Sequence, residues 1–338
     1  MEFAPSDDES ALIGAAERFG GERLRPAERA HEAARCYPPE LARAYAEAGF
    51  ASLTLPEDLG GSELPLGVAV LVWAKLAEAD AGAPLGLGGV PPGVALLAPP
   101  CRELVLRKLP GALAIAEGRS EAPEARGRIP WIPAREVAWL LVCSRGGVLL
   151  VREPGVVLLE QRPLGLQAAG GVELSLDDAE AEVVGGPALA RRVLAEGRAF
   201  AAALAVGAAR DAVTYAMRYA QERVAFGRPI AHHQGLAFQL VDAATDVEAA
   251  ALLLGAAAAS EQTEPIAQAH AFVFDVALRV TERAVQALGG HGYLYDHPVE
   301  KRMRDVRALA SLWGGASLSE AEAADRILEH PDALEGVP

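Results

Sequence analysis

The stretch ALARRVLAEGRAFAAALAVGAARDAVTYAMRYAQERV, residues 188–224, constrains this chain more than any other segment. It is long, rich in alanine and free of proline, so it reads as one continuous helix. Such a helix needs others beside it, and the sequence that follows supplies them. Pro229 is expected to open a helix running through Ser260, Pro265 a third running to Leu288, and Pro298 a fourth. SLSEAEAADRILEH reads as a last short helix with Ser317 or Ser319 as its cap. Long helices able to pack antiparallel imply a four-helix bundle over residues 187–338.

Residues 1–109 read as an N-terminal helical domain. Asp7 and Asp8 precede ESALIGAAERFGGERLRPAERAHEAA, PPELARAYAEAGF has proline at its start and Gly49 at its end, and GVAVLVWAKLAEADAG reads as a buried helix. Residues 110–186 change character. VAWLLVCS, GGVLLVREPG, VVLLEQRP and VELSLDDAEAEVV are short apolar or alternating runs divided by Gly and Pro, the pattern of strands and turns. The fold class is therefore α+β, mainly α, with a small β domain between two helical ones.

The formal net charge of −15 argues against a nucleic-acid or anionic-membrane partner, which would want a basic face. Cys36, Cys101 and Cys143 form no CxxC pair, and their odd number does not suggest a disulfide framework, so a reducing, cytoplasmic setting is expected. The acidic, amphipathic N-terminus is not a signal peptide, and no apolar run reaches membrane-spanning length. Arg outnumbers Lys 28 to 3 and Asn is absent, a bias that fits both a thermophile and a GC-rich genome.

Two stretches carry a specific signal. The first is YAQERVAFGRPIAHHQGLAFQLVD, with Arg223, Phe226, Gly227, Pro229, Ile230 and Gln234. The second is AVQALGGHGYLYDHPVEKRMRD, with Gln286, Gly289, Gly290, Gly292, Tyr293, Arg304 and Asp305. Together they resemble the acyl-CoA dehydrogenase family of flavoenzymes. Weaker similarity in YPPELARAYAEAGFASLTLPEDLGG and RPLGLQAAGGVELSLDDAEAEVVGGP extends it over nearly the whole chain. The resemblance implies an N-terminal helical domain, a β-barrel-like middle domain and a C-terminal four-helix bundle. It also implies FAD and an oligomer, homomeric or with a catalytic paralogue. In the family, Arg223, Phe226, Gln234, Gln286, Gly289 and Gly290 would reach the flavin bound largely by the neighbouring subunit. The chemistry suits those positions: a guanidinium matches phosphate oxygens, and a Gly-Gly turn brings backbone N–H groups close to them.

The same resemblance exposes losses. Family members abstract an α-proton from an acyl-CoA thioester with a Glu carboxylate shortly after the Arg-Asp pair. Aligned without a gap from Arg304-Asp305, that position is Trp313, whose indole N–H only donates. The alternative position used by some members falls on Gly197, with Glu196 as neighbour and weak substitute, one helical residue and about 100° away. Glu320 is a further carboxylate that could be recruited. The family's TExxxGSD segment appears only as AEGRSEAP at 116–123, followed by a deletion that leaves the middle domain truncated. The Trp and Thr that face the flavin ring appear as Trp131 and Pro133. No metal site is expected, because the histidines lack ligand spacing: His232 and His233 are adjacent, and all seven are expected at the surface or at helix ends.

Three functions fit. One is a catalytically impaired subunit that completes an FAD and acyl-CoA site across an oligomer interface. Another is an active, divergent FAD-dependent dehydrogenase with a non-standard base. The third is a non-enzymatic helical scaffold.

Overall fold

The structure, a computed structural model, describes residues 6–115, 127–157, 163–177 and 179–329. AEGRSEAP and Asp178 lie outside the described residues.

The chain begins with α1 (Asp7–Phe19), α2 (Glu28–Ala34), α3 (Pro39–Glu47), α4 (Leu66–Ala79), α5 (Ala83–Gly88) and α6 (Ala98–Leu106). The Ser6 hydroxyl accepts from the Glu9 N–H while the Glu9 carboxylate accepts from the Ser6 N–H, a reciprocal cap that sets where α1 starts.

Strands β1 (Gly111–Ile115), β2 (Arg128–Ile132), β3 (Trp139–Ser144), β4 (Gly147–Arg152), β5 (Gly155–Val157), β6 (Val172–Ser175) and β7 (Glu180–Gly185) follow. They form two sheets, ordered β1-β3-β4-β7 and β2-β6-β5. The β1–β3 pair is parallel; the rest are antiparallel. The sheets face each other across Ala112, Leu140, Val142, Leu149, Val151, Val172 and Leu174. The opposite face of the larger sheet presents Leu113, Trp139, Leu141, Cys143 and Leu150 to the main core. With both faces covered, β3 and β4 read as unbroken apolar runs rather than alternating ones.

That second face packs on α7 (Pro187–Glu222), which is buried along most of its length between α4, the sheet and the later helices. After it come a small hairpin, β8 (Val224–Ala225) and β9 (Arg228–Pro229), then α8 (Gln234–Ser260), α9 (Thr263–Leu288), α10 (Val299–Leu309) and α11 (Gly315–Glu329). Three boundaries differ from expectation. Pro229 sits in the hairpin, and α8 begins only at Gln234, after a tight turn over Ile230–His232. Thr263, two residues before Pro265, opens α9. Ser317 and Ser319 lie inside α11 rather than capping it. Ser319 is buried against His270 instead, its Oγ 3.0 Å from His270 Nδ1.

A buried charge network locks the N-terminal helices onto α10. Lys301 Nζ lies 3.1 Å from Asp80 and 2.7 Å from Asp305, and Arg302 reaches Asp211 at 2.8 Å and Glu28 at 2.7 Å. Asp305 also accepts from the Leu166 N–H at 2.7 Å, and Arg304 donates to the Leu164 carbonyl, so the Arg304–Asp305 pair ties α10 to the loop before β6. Burial alone would lower the Lys301 pKa, but Asp305 and Asp80 hold it above the ordinary lysine value. Burial likewise works against ionised Asp80, yet Lys301 and the Tyr37 hydroxyl keep its pKa below the ordinary value.

Candidate functional site

The two positions at which a base is expected meet in space. Trp313 follows α10 in a tight turn with φ 49° and ψ 46°, a left-handed conformation unusual for a bulky residue. This backbone turns the indole inward, to 8% exposure, where its N–H donates to the Leu113 carbonyl at 2.9 Å. The ring lies over α7 at Gly197: a Cβ added there would sit 3.4 Å from the indole and 2.8 Å from Leu113 Cδ2. Phe200, one turn further along α7, stands 6.3 Å from the indole centroid and packs edge-on against Trp73 at 4.8 Å. Aromatic and aliphatic carbon thus fills the point between the two positions. The neighbouring cavity, bounded by Trp73, Phe200, Tyr45 and Val94, holds about 40 Å³.

The other two carboxylates lie elsewhere. Glu196 lines a separate cavity of about 410 Å³ with Thr54, Leu64, Arg192, Glu261 and Ile266. Burial pushes its pKa up to about 7, against the opposing pull of the Gly93 N–H and Arg192. Glu320 is exposed on α11. Arg198, beside Gly197, is 2% exposed and holds Glu322 through both terminal nitrogens, tying α11 down next to the indole.

A second locus gathers most of the phosphate-facing candidates. Arg223 ends α7, Gln286 lies on the last turn of α9, and Gly289 and Gly290 form the turn after it. These four line one open pocket of about 490 Å³ with Tyr219, Ile230, His291 and Leu294. Gly289 adopts φ 60°, ψ −136°, a conformation that only glycine holds without strain, and a Cβ on either glycine would meet nothing within 4 Å. The backbone there is bare, and no ion pair among the described residues engages Arg223. The Gly289 N–H is already given to the Gln286 carbonyl, so the donors left for a diphosphate are the Arg223 guanidinium, the Gln286 amide and the Gly290 N–H. Phe226 and Gln234 do not line this pocket. Phe226 is 95% exposed at the hairpin tip, edge-on to His233, and Gln234 is exposed at the start of α8.

A third pocket, also about 490 Å³, lies between the β domain and α10, lined by Trp131, Pro163, Leu164, Gly165, Arg304, Arg307, Ala308 and Ser311. Trp131 Nε1 is buried without a hydrogen-bond partner, close against Gly171. Pro133 is buried beyond it and offers neither hydroxyl nor N–H. The flat indole offers a stacking face at the pocket wall, and Pro133 supplies no polar contact beside it.

The sequence did not single out Tyr219, and His291 stood out only beside His297 as a histidine without partners at metal-ligand spacing. Tyr219 lies four residues before Arg223, hence on the same face of α7, which the helical repeat would have revealed. The expectation that every histidine sits at the surface or a helix end fails at His270, which is fully buried within α9 with a pKa lowered to about 3 by burial and by Arg198. Among the described residues no group of three or more His, Cys, Asp or Glu is placed to hold a metal ion, and no helix is long and apolar enough to cross a membrane.

Comparison with known proteins agrees with this architecture. Residues 6–98 match the family model described as acyl-CoA dehydrogenase, N-terminal domain, and residues 185–327 match acyl-CoA dehydrogenase, C-terminal domain. The chain is 29% identical to benzylmalonyl-CoA dehydrogenase of Aromatoleum aromaticum over 94% of its own length and 97% of that protein. It is 30% identical to a probable acyl-CoA dehydrogenase of Mycobacterium tuberculosis, over 80% of this chain and 82% of that one. Among solved structures, butyryl-CoA dehydrogenase from Megasphaera elsdenii superposes with a TM-score of 0.82 at 24% identity, covering 97% of this chain and all 100% of the other. A chain from the structure of the electron transferring flavoprotein of Acidaminococcus fermentans superposes with a TM-score of 0.85 at 25% identity, over 97% and 100% of the two chains. By fold and by sequence, the chain belongs to the acyl-CoA dehydrogenase family.

Proposed function

We propose that this chain is a catalytically impaired subunit of its family that completes an FAD and acyl-CoA site across an oligomer interface. The carrying observation is the Trp313 indole lying on Gly197. An indole nitrogen whose lone pair belongs to the ring accepts no proton, and glycine has no side chain. Dehydrogenation of a thioester needs an acceptor for the α-proton within reach of the substrate, and neither position supplies one.

The outward-facing residues remain suited to a cofactor. Arg223 would pair with the diphosphate of FAD, the Gln286 amide and the Gly290 N–H would donate to it, and Trp131 would lie beside a ring held in the chain's own pocket. Bound FAD supplies a hydride acceptor. The chain's own residues bind and orient it. Assembly is supported by apolar side chains left in solvent: Phe238, Val241 and Leu252 on α8, Phe272 on α9, and Phe226 at the hairpin. Relatives such as benzylmalonyl-CoA dehydrogenase act on CoA thioesters, which supports an acyl-CoA as the substrate class of the assembled site.

The test is the visible spectrum and acyl-CoA-dependent dye reduction of the pure chain, alone and co-expressed with a catalytic family member. The reading expects no turnover by the chain alone, and a flavin-loaded complex that loses flavin on Arg223→Leu. A pure chain carrying flavin that an acyl-CoA bleaches would refute it. Glu196, with its pKa near 7, favours the second reading of an active divergent enzyme. In that case Glu196→Gln would abolish the bleaching.

A further inference from the structure

The pocket at Arg223 contains two groups that the phosphate-facing motif does not account for, Tyr219 and His291. The Tyr219 hydroxyl lies 3.0 Å from His291 Nδ1, so that nitrogen is already engaged. The imidazole's free nitrogen is therefore Nε2. With the hydroxyl donating to Nδ1, the neutral ring carries its proton on Nε2, as a donor. A second pair stands behind the first, with the Tyr215 hydroxyl 2.9 Å from His297 Nδ1. Tyr219 packs edge-on against His297 with ring centroids 5.8 Å apart, and the two imidazole centroids are also 5.8 Å apart.

We propose that His291, oriented by Tyr219, is a proton-dependent positioning residue for the diphosphate that the Arg223 pocket receives. The inference rests on the reading of that pocket as a dinucleotide phosphate site. Arg223 provides a permanent charge, and His291 adds a second one only when protonated. The titratable or charged groups around His291 are Tyr219 and Arg223 from α7 and His297 from its own loop, with Tyr215 and Arg218 one layer behind and the Glu222 and Asp211 carboxylates acting on Tyr215 there. No carboxylate lines the pocket, so a protonated imidazole has no internal partner there and is left for an anionic ligand. Binding strengthens as pH falls through the range in which an imidazole takes up its proton.

The probe is ADP-ribose, whose two phosphates are joined by an anhydride, are each esterified to a ribose and carry one negative charge apiece across that range, so the ligand's own charge does not change. Titration calorimetry on the full chain at about pH 6 and about pH 8 should show roughly fivefold tighter binding at the lower pH, the effect of one added charge near a solvated phosphate. His291→Gln keeps a polar group and should bind at the weaker level at both values. His291→Arg should bind at the tighter level at both. Tyr219→Phe frees the ring and should weaken binding while keeping the pH response. Because His291 is exposed, these changes leave the core intact. A full pH response in His291→Gln would place the proton elsewhere, at His297, and overturn the proposal, as would a wild type with no pH response. Arg223→Leu tests the underlying reading separately and should abolish binding at both values. If it binds as the wild type does, that reading fails, and a wild type that binds no ADP-ribose refutes both.

Discussion

Replacing Trp313 by alanine and by glycine separates its two structural roles. Both changes remove a side chain that is 8% exposed and bonded to the Leu113 carbonyl. Losing a buried aromatic side chain costs about 3–5 kcal/mol. The variants then differ only in backbone. At φ 49° and ψ 46° alanine keeps the left-handed penalty of about 1–2 kcal/mol, and glycine does not. Glycine gives back roughly 0.5–1 kcal/mol through the greater freedom of its unfolded chain. Trp313→Gly should therefore be the more stable of the pair by up to about 1.5 kcal/mol, the reverse of the order found in ordinary backbone. Guanidinium unfolding followed by circular dichroism, with the slope unchanged, reads this directly. Alanine proving the more stable, or both variants matching the wild type, would refute the inward-turned indole. Both substitutions open space over Gly197 without adding a proton acceptor, so neither should gain turnover of an acyl-CoA.

Three other outcomes follow from the packing and the charges. Gly197→Ala places a methyl 2.8 Å from Leu113 Cδ2 and should cost about 1–3 kcal/mol in urea unfolding, with recovery when Leu113 is shortened to Val. Glu196 has a folded pKa of about 7 against 4.5 unfolded, so its contribution to stability is present below pH 4.5 and lost as pH rises through 7. Glu196→Gln should gain on the order of 1 kcal/mol over the wild type at about pH 8 and nothing at about pH 4, allowing for its half-open position, as thermal melts at both values will show. Lys301→Met strands Asp80 and Asp305 in the interior and should cost about 3–5 kcal/mol, measured by the same unfolding titration.

Local chemistry made much of the fold readable. The Ala-rich run of α7, the double-sided apolar strands β3 and β4, and the glycine turn after α9 each state their conformation in their own residues. Pro229 misled because proline suits a hairpin edge as well as a first helical turn, and here it occupies β9. Ser319 looked like a cap because serine so often is one, yet its partner, His270, lies on another helix. The candidate site was legible only position by position. Trp313 and Gly197 were each singled out by alignment, but their contact depends on how α7 and the turn after α10 pack, and no local pattern encodes it. The same holds for Leu113, whose carbonyl receives the indole N–H from the far side of the core.

Asp305 binds Lys301 and the Leu166 N–H at once, and Lys301 in turn binds Asp80. This aspartate is thus a joint at which three separate stretches of chain are pinned. A change there would release all three at once. Asp305 stands out in the sequence beside Arg304, and its place there follows from the three segments it fastens rather than from any reaction.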